Sequence, residues 1–185
     1  MNTGNQISPE IDLQVLLENE SYGLQENKVL GLAAQILQFM GLGDYELSLL
    51  IVNDNKIHEL NRDYRQKDKA TDVLSFPQMD WKTALTVETK GQEKQQGPKI
   101  LGDIVISLDH VAYNAEKIGN SISREFCFLL IHGILHLCGH DHREKEEEAL
   151  MIGQQKIILD LLTGLSEKNE DPLWHNCIFK NKEEN

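Results

Sequence analysis

Apolar residues recur along this chain in two rhythms, and the switches between them mark its elements. Ile11 to Leu17 is dense in apolar residues behind Ser8-Pro9, which predicts a first strand with a short helix as the alternative. Lys28 to Phe39 repeats Val29, Leu32, Ala33, Ile36 and Leu37 at helical spacing and stops before Gly41 and Gly43. Glu46 to Asn53 is short, apolar and bounded by turns, the pattern of a buried strand. Asp54 is placed to cap a helix running to about Arg65, and Thr71 to Phe76 reads as a strand halted by Pro77. Ile100 to Ser107 predicts another strand and Leu108 to Ile118 a helix. A further helix covers about Ser121 to Cys138, and a long one runs from Lys145 to Leu162 and ends at Gly164. Segment 78–99, with Gln92-Glu93-Lys94-Gln95-Gln96-Gly97-Pro98, is polar and rich in breakers, so it is expected to be a mobile surface loop. There are no internal repeats. The pattern predicts an α+β fold: one domain over residues 1–185, with a small mixed sheet, several helices on one face or end of it, and a flexible acidic C-terminal tail.

Composition narrows the class without naming a function. A chain of 185 residues suits one domain with a full core, and 40% hydrophobic with 26% charged residues is ordinary for a globular protein. Met1 to Gln6 has neither a basic region nor an apolar core, so no secretory signal is expected, and no apolar run is long enough to span a membrane. Three cysteines (Cys127, Cys138, Cys177) are an odd, sparse set that fits reduced thiols in the cytoplasm.

Four of the seven histidines fall within eleven residues, His132-Gly-Ile-Leu-His136-Leu-Cys-Gly-His140-Asp-His142. His132 and His136 are four apart, so on a helix both imidazoles leave the same face. Gly139 stands where a left-handed residue ends a helix. Three neutral imidazoles converging beyond that break would make a zinc site with an open fourth position at the end of the helix. An unbroken helix would separate His132 from His140 by about 12 Å of rise, so those two cannot share an ion on one helix. With the break, either His140 or His142 could be the third ligand; the metzincin spacing H-x-x-x-H-x-x-G-x-x-H favours His142. Cys138 lies on a different helix face from His132 and reads as a small core residue. Asp141 reads as a carboxylate that supports the ligands or caps the turn rather than as a ligand, and Asp72 and Asp103 as turn or capping residues.

The residue after the first histidine decides the chemistry. In HExxH peptidases it is the glutamate that acts as base; here it is Gly133, which has no side chain to take a proton. Peptidase activity by the usual route is therefore not expected. The formal charge of −12 argues superficially against nucleic acid, but much of the acidity lies after the histidines and in the tail. Segment 56–69 is locally basic, with Lys56, Arg62, Arg65, Lys67 and Lys69 against Glu59, Asp63 and Asp68. Such a run is usually a solvated helix face, and it acquires meaning only if it lies beside a metal.

Three motifs carry a resemblance over nearly the whole chain: Asn61-Arg62-Asp63-Tyr64-Arg65-Gln66-Lys67-Asp68 leading into Thr71-Asp72-Val73-Leu74-Ser75-Phe76-Pro77; Leu101-Gly102-Asp103-Ile104 leading to Ser107; and the histidine cluster. By these the chain resembles the YbeY family of bacterial metal-dependent endoribonucleases. It departs from the family pattern at His140, where tyrosine is usual, and its 78–99 insert exceeds the shortest family versions. The resemblance implies one Zn2+ per chain on His132, His136 and His142, and catalytic roles for His132 and Arg65. It implies cleavage of single-stranded RNA in the cytoplasm, in 3′-end maturation of small-subunit ribosomal RNA and in ribosome quality control. The partners would be ribosomal RNA or ribosomal subunits, with no DNA and no membrane. Two other readings share the histidines: a metal-dependent hydrolase of another substrate class, and a ribosome-docking module whose zinc is structural.

Overall fold

The computed structural model describes residues 9–18, 21–79, 81, 99–140, 145–164, 172 and 174–181. Strand β1 (Glu10–Leu16), strand β2 (Tyr22–Leu24) and helix α1 (Glu26–Phe39) open the chain. Strand β3 (Tyr45–Val52), helix α2 (Asp54–Arg65) and strands β4 (Val73–Pro77) and β5 (Lys99–Ser107) follow. Helices α3 (Leu108–Ile118), α4 (Ile122–Leu137) and α5 (Lys145–Gly164) and the short strand β6 (Ile178–Lys180) complete it. The main sheet has the order β1-β3-β5-β4, parallel except for β4, which runs antiparallel to β5 at the edge. This is the mixed-sheet α+β architecture that the alternating rhythms predict.

Period-2 side-chain alternation puts the two faces of the sheet to different uses. Leu47, Leu49 and Ile51 of β3, with Leu101, Ile104 and Ile106 of β5, join α1, α3, α4 and α5 in the main core. On the other face Val52, Leu74 and Val105 pack around Ile57 of α2. The helices are thus not confined to one face: α2 lies opposite the rest. That second core is small because α2 buries little besides Ile57 and Asn61.

Several boundaries differ from the sequence expectation for physical reasons. Asp54 is the first residue of α2 and not its cap; its carboxylate instead accepts from Ser107 Oγ at 2.6 Å and pairs with His110 Nδ1 at 2.5 Å, tying the starts of α2 and α3 together. Pro77 closes β4 from within, tolerated because β4 is an edge strand. The two-stranded antiparallel sheet of β2 and β6 was not foreseen. Most of the predicted 78–99 loop, and the tail but for residues 172 and 174–181, lie outside the described residues, as does His142. Among the described residues no helix is long and apolar enough to cross a membrane.

Gly102 shows how closely the sheet is drawn together near its edge. The β3–β5 register skips Leu101, Glu46 pairing with Ile100 and Leu47 with Gly102. At this bulge Gly102 takes φ +144°, and a Cβ there would meet the Phe76 carbonyl oxygen of β4. Only glycine satisfies both demands.

Candidate active site

Helix α4 is capped by the Ser121 hydroxyl, which accepts from Arg124 N, and is buried along most of its length. At its C-terminal turn His132 and His136 emerge one above the other, half-buried, as a spacing of four requires. Their Nε2 atoms lie 3.1 Å apart, with ring centroids 4.6 Å apart and the planes at 81°. The other nitrogen of His136, Nδ1, is 2.8 Å from the His140 carbonyl oxygen. A carbonyl can only accept, so Nδ1 carries the proton and Nε2 presents its lone pair toward His132.

The break after α4 makes this possible. Gly139 takes φ +84° and its N–H donates to His136 O, while His140 N–H donates to Leu135 O. This left-handed termination folds the His140 carbonyl back onto the His136 ring. Trp81 seals the turn: its indole N–H donates to Leu137 O at 2.6 Å, and its ring lies against Gly139, with Cδ1 3.3 Å from an ideal Cβ. Nothing in the pattern around Trp81 marked this role, because it lies within the polar segment that reads as loop.

Two nitrogens bound to one tetrahedral zinc at 2.0–2.1 Å would lie about 3.3 Å apart. The observed pair, with one imidazole oriented by a carbonyl on its outer nitrogen, fits that geometry and donor chemistry. Among the described residues no third His, Cys, Asp or Glu side chain completes a metal-binding group. His142 and Asp141 lie outside the described residues. His140 contributes its backbone oxygen to His136, and it is also one of the residues lining an apolar cavity of about 380 Å³ with Phe39, Met40, Trp81, Cys138 and Ile157. Cys138 is packed against the main core, where burial pushes its thiol up to about 12, in keeping with a core residue.

Arg65, at the far end of α2, reaches the same edge. Gln66 ends α2 in a left-handed conformation, and Asn61 anchors the turn that follows by donating to Lys69 O at 2.8 Å. The Arg65 guanidinium donates through Nη2 to Ser75 O of β4 at 2.8 Å. Ser75 in turn donates from Oγ to Gly133 O of α4 at 3.2 Å. Ser75 thus links the arginine to the residue beside His132, a bridge that sequence reading missed. Its signal there was faint: a small polar residue in an apolar strand.

Gly133 has a second meaning in the structure. A Cβ there would stand 3.1 Å from Ile104 Cδ1 and Cγ2 and 3.3 Å from Ser75 Oγ. The glycine lets α4 close onto β4 and β5. Asp72 behaves as a turn residue, accepting from Val73 N–H at 2.9 Å, while Asp103 lies within β5 and accepts from Gln78 Nε2 at 2.8 Å.

A small mixed sheet with a buried helix packed on its edge strand, carrying paired imidazoles and a glycine where HExxH peptidases have their base, defines an α+β protein with a histidine centre. A family model described as Endoribonuclease YbeY matches residues 14–163, and the chain belongs to the YbeY family. It is 43% identical over 123 residues to Endoribonuclease YbeY of Clostridium botulinum, covering 63% of this chain and 74% of that protein. To Endoribonuclease YbeY of Staphylococcus carnosus it is 47% identical over 117 residues, covering 63% and 72%. A Thermotoga maritima protein solved in solution superposes with a TM-score of 0.55 at 27% identity, over 88% of this chain and 97% of that one.

Proposed function

We propose that this protein is a zinc-dependent endoribonuclease that cleaves single-stranded RNA in the cytoplasm. Its place would be the maturation of the 3′ end of small-subunit ribosomal RNA and ribosome quality control, with ribosomal RNA or ribosomal subunits as partners. Its catalytic domain would extend over residues 1–185. The observation that carries the reading is the His132–His136 pair, with Nε2 atoms 3.1 Å apart, connected through Gly133 and Ser75 to the guanidinium of Arg65. His132, His136 and His142 would hold one Zn2+. Bound there, zinc would supply Lewis-acid chemistry for a phosphoryl group.

The chain's own residues do the rest. Ser75 O orients the Arg65 guanidinium through one N–H, leaving others of its five donors to grip a phosphoryl group in a bidentate fork. Charge that develops on the phosphoryl oxygens in the transition state is stabilised there more strongly than the ground state. The His140 carbonyl holds the His136 proton on Nδ1. Gly133 can accept no proton, which disfavours amide hydrolysis. The test pairs single-stranded RNA, duplex RNA and casein with one preparation, with chelator and His132→Ala controls. Cleavage of single-stranded RNA alone, lost in both controls, is expected. Proteolysis that vanishes in both controls, with RNA untouched, would sink the reading.

A further inference from the structure

An aromatic pair stands beside Arg65, half of it seated on the small second core and half of it open to water. Tyr64 is the residue before Arg65 on α2, and Phe76 is the residue after Ser75 on β4. Their rings pack edge to face, with centroids 5.5 Å apart and planes at 69°. Phe76 is half-buried on the small second core, which braces it. Tyr64 remains 70% exposed. A large ring braced on one edge yet open to water is a platform for another flat ring, because part of its side-chain freedom is already lost before contact.

The surrounding charge selects the partner. Within residues 62–69 four cations (Arg62, Arg65, Lys67, Lys69) face two carboxylates (Asp63, Asp68), in a chain whose formal charge is −12. Asp63 pairs with Arg62 Nε at 2.9 Å and Asp68 meets His58 Nε2 at 2.7 Å, so Arg65, Lys67 and Lys69 carry the positive excess of the segment. Exposed aromatic rings interleaved with cations are the elements of a single-strand nucleic-acid track, in which bases stack while phosphates meet the charges. Both neighbours on α2 are held from β4, Arg65 by the backbone oxygen of Ser75 and Tyr64 by the ring of Phe76 on the face that α2 covers.

We infer that Tyr64, braced by Phe76, stacks on the base of a nucleotide flanking the phosphate held by Arg65, and so sets the register of single-stranded RNA at the site. The inference rests on the nuclease reading above. It also gives that reading a reason for single-strand preference, because a base paired in a duplex has no free face to offer the ring.

The experiment uses the full chain with Tyr64→Phe, Tyr64→Leu and Tyr64→Ala, and a fluorescein-labelled single-stranded oligoribonucleotide. Binding is read by anisotropy and cleavage by single-turnover rates against enzyme concentration. Tyr64→Phe is expected to stay within about twofold of wild type. Tyr64→Ala and Tyr64→Leu should raise the half-saturating concentration about ten- to a hundredfold, the range of one lost base stack, with the saturating rate little changed. A scan of single abasic positions adds the decisive contrast. One position should weaken wild type about as much as Tyr64→Ala does, and should weaken Tyr64→Ala no further. Equal binding by wild type and Tyr64→Ala, equal loss at every abasic position in both proteins, or full rescue by leucine would overturn the stacking role. Wild type that binds the oligonucleotide through Tyr64 but never cuts it would instead overturn the nuclease reading and leave the stacking intact.

Discussion

Replacing Gly133 by glutamate would recreate the HExxH pattern, and the structure predicts that it breaks the protein without making a peptidase. The first added atom would lie 3.1 Å from two atoms of Ile104 and 3.3 Å from Ser75 Oγ, inside the 3.5–4.0 Å of ordinary carbon contact. Overpacking of this kind costs about 1–3 kcal/mol. The carboxylate would be carried into a helix–sheet interface whose nearest polar side chain, Ser75, already donates to Gly133 O. Desolvating an unpaired charge there adds several kcal/mol. The total of roughly 5 kcal/mol approaches the whole stability of an ordinary domain, about 5–15 kcal/mol. Gly153→Glu is the control: that glycine is exposed in α5 with nothing within 4 Å of an added Cβ, and glutamate should gain up to about 1 kcal/mol of helix propensity. Urea unfolding followed by circular dichroism should show Gly133→Glu largely unfolded in dilute buffer, and Gly153→Glu at or above the wild-type midpoint. A wild-type midpoint for Gly133→Glu would mean that α4 stands off from the sheet. Chelator-sensitive casein hydrolysis by that variant would mean that a missing base was all that separated this site from a peptidase.

Three other outcomes follow from the site and from the helix that carries it. His136→Ala should abolish zinc binding, whereas His140→Ala should leave it mostly intact because His140 supports His136 through its backbone oxygen; metal analysis of both purified variants with the reverse result would refute the ligand set. Arg65→Lys should be nearly as damaging as Arg65→Ala, each losing on the order of a hundredfold in single-turnover rate, since a point charge cannot reproduce the guanidinium fork. The lost bond to Ser75 O should cost only about 0.5–1.5 kcal/mol of stability, and rescue by lysine with a salt-dependent defect would reduce Arg65 to electrostatic steering. Glu125 is 4% exposed in the first turn of α4, and burial raises its carboxyl above the usual range. The folded state therefore holds that proton more tightly than the unfolded chain, so its contribution to stability is complete below the unfolded carboxyl's pKa and is lost as pH rises through the folded value. Glu125→Gln removes that loss, so its melting temperature relative to wild type should climb between pH 4 and pH 7; a difference that shrinks with pH would contradict the assigned sign.

Local rules made much of this protein visible before any coordinates. The strands of the main sheet and the helices packed on it follow from period-2 and period-3.6 patterns, since each needs only neighbours in sequence to declare which face is buried. The shared face of His132 and His136 and the break at Gly139 were legible for the same reason: helical spacing and left-handed termination are local. The pairing of β2 with β6 was not, because three-residue strands carry no period and their partners are far apart in sequence. Sequence could show that Gly133 lacks a base, but only the approach of α4 to Ile104 and Ser75 shows that the absent side chain is also a packing requirement. The placement of α2 on the opposite face, and the chain from Arg65 through Ser75 to Gly133, likewise depended on which surfaces meet. Periodicity reports what one element hides from water; which partner hides it is settled by packing of residues distant in sequence, and the site is made of those distant contacts.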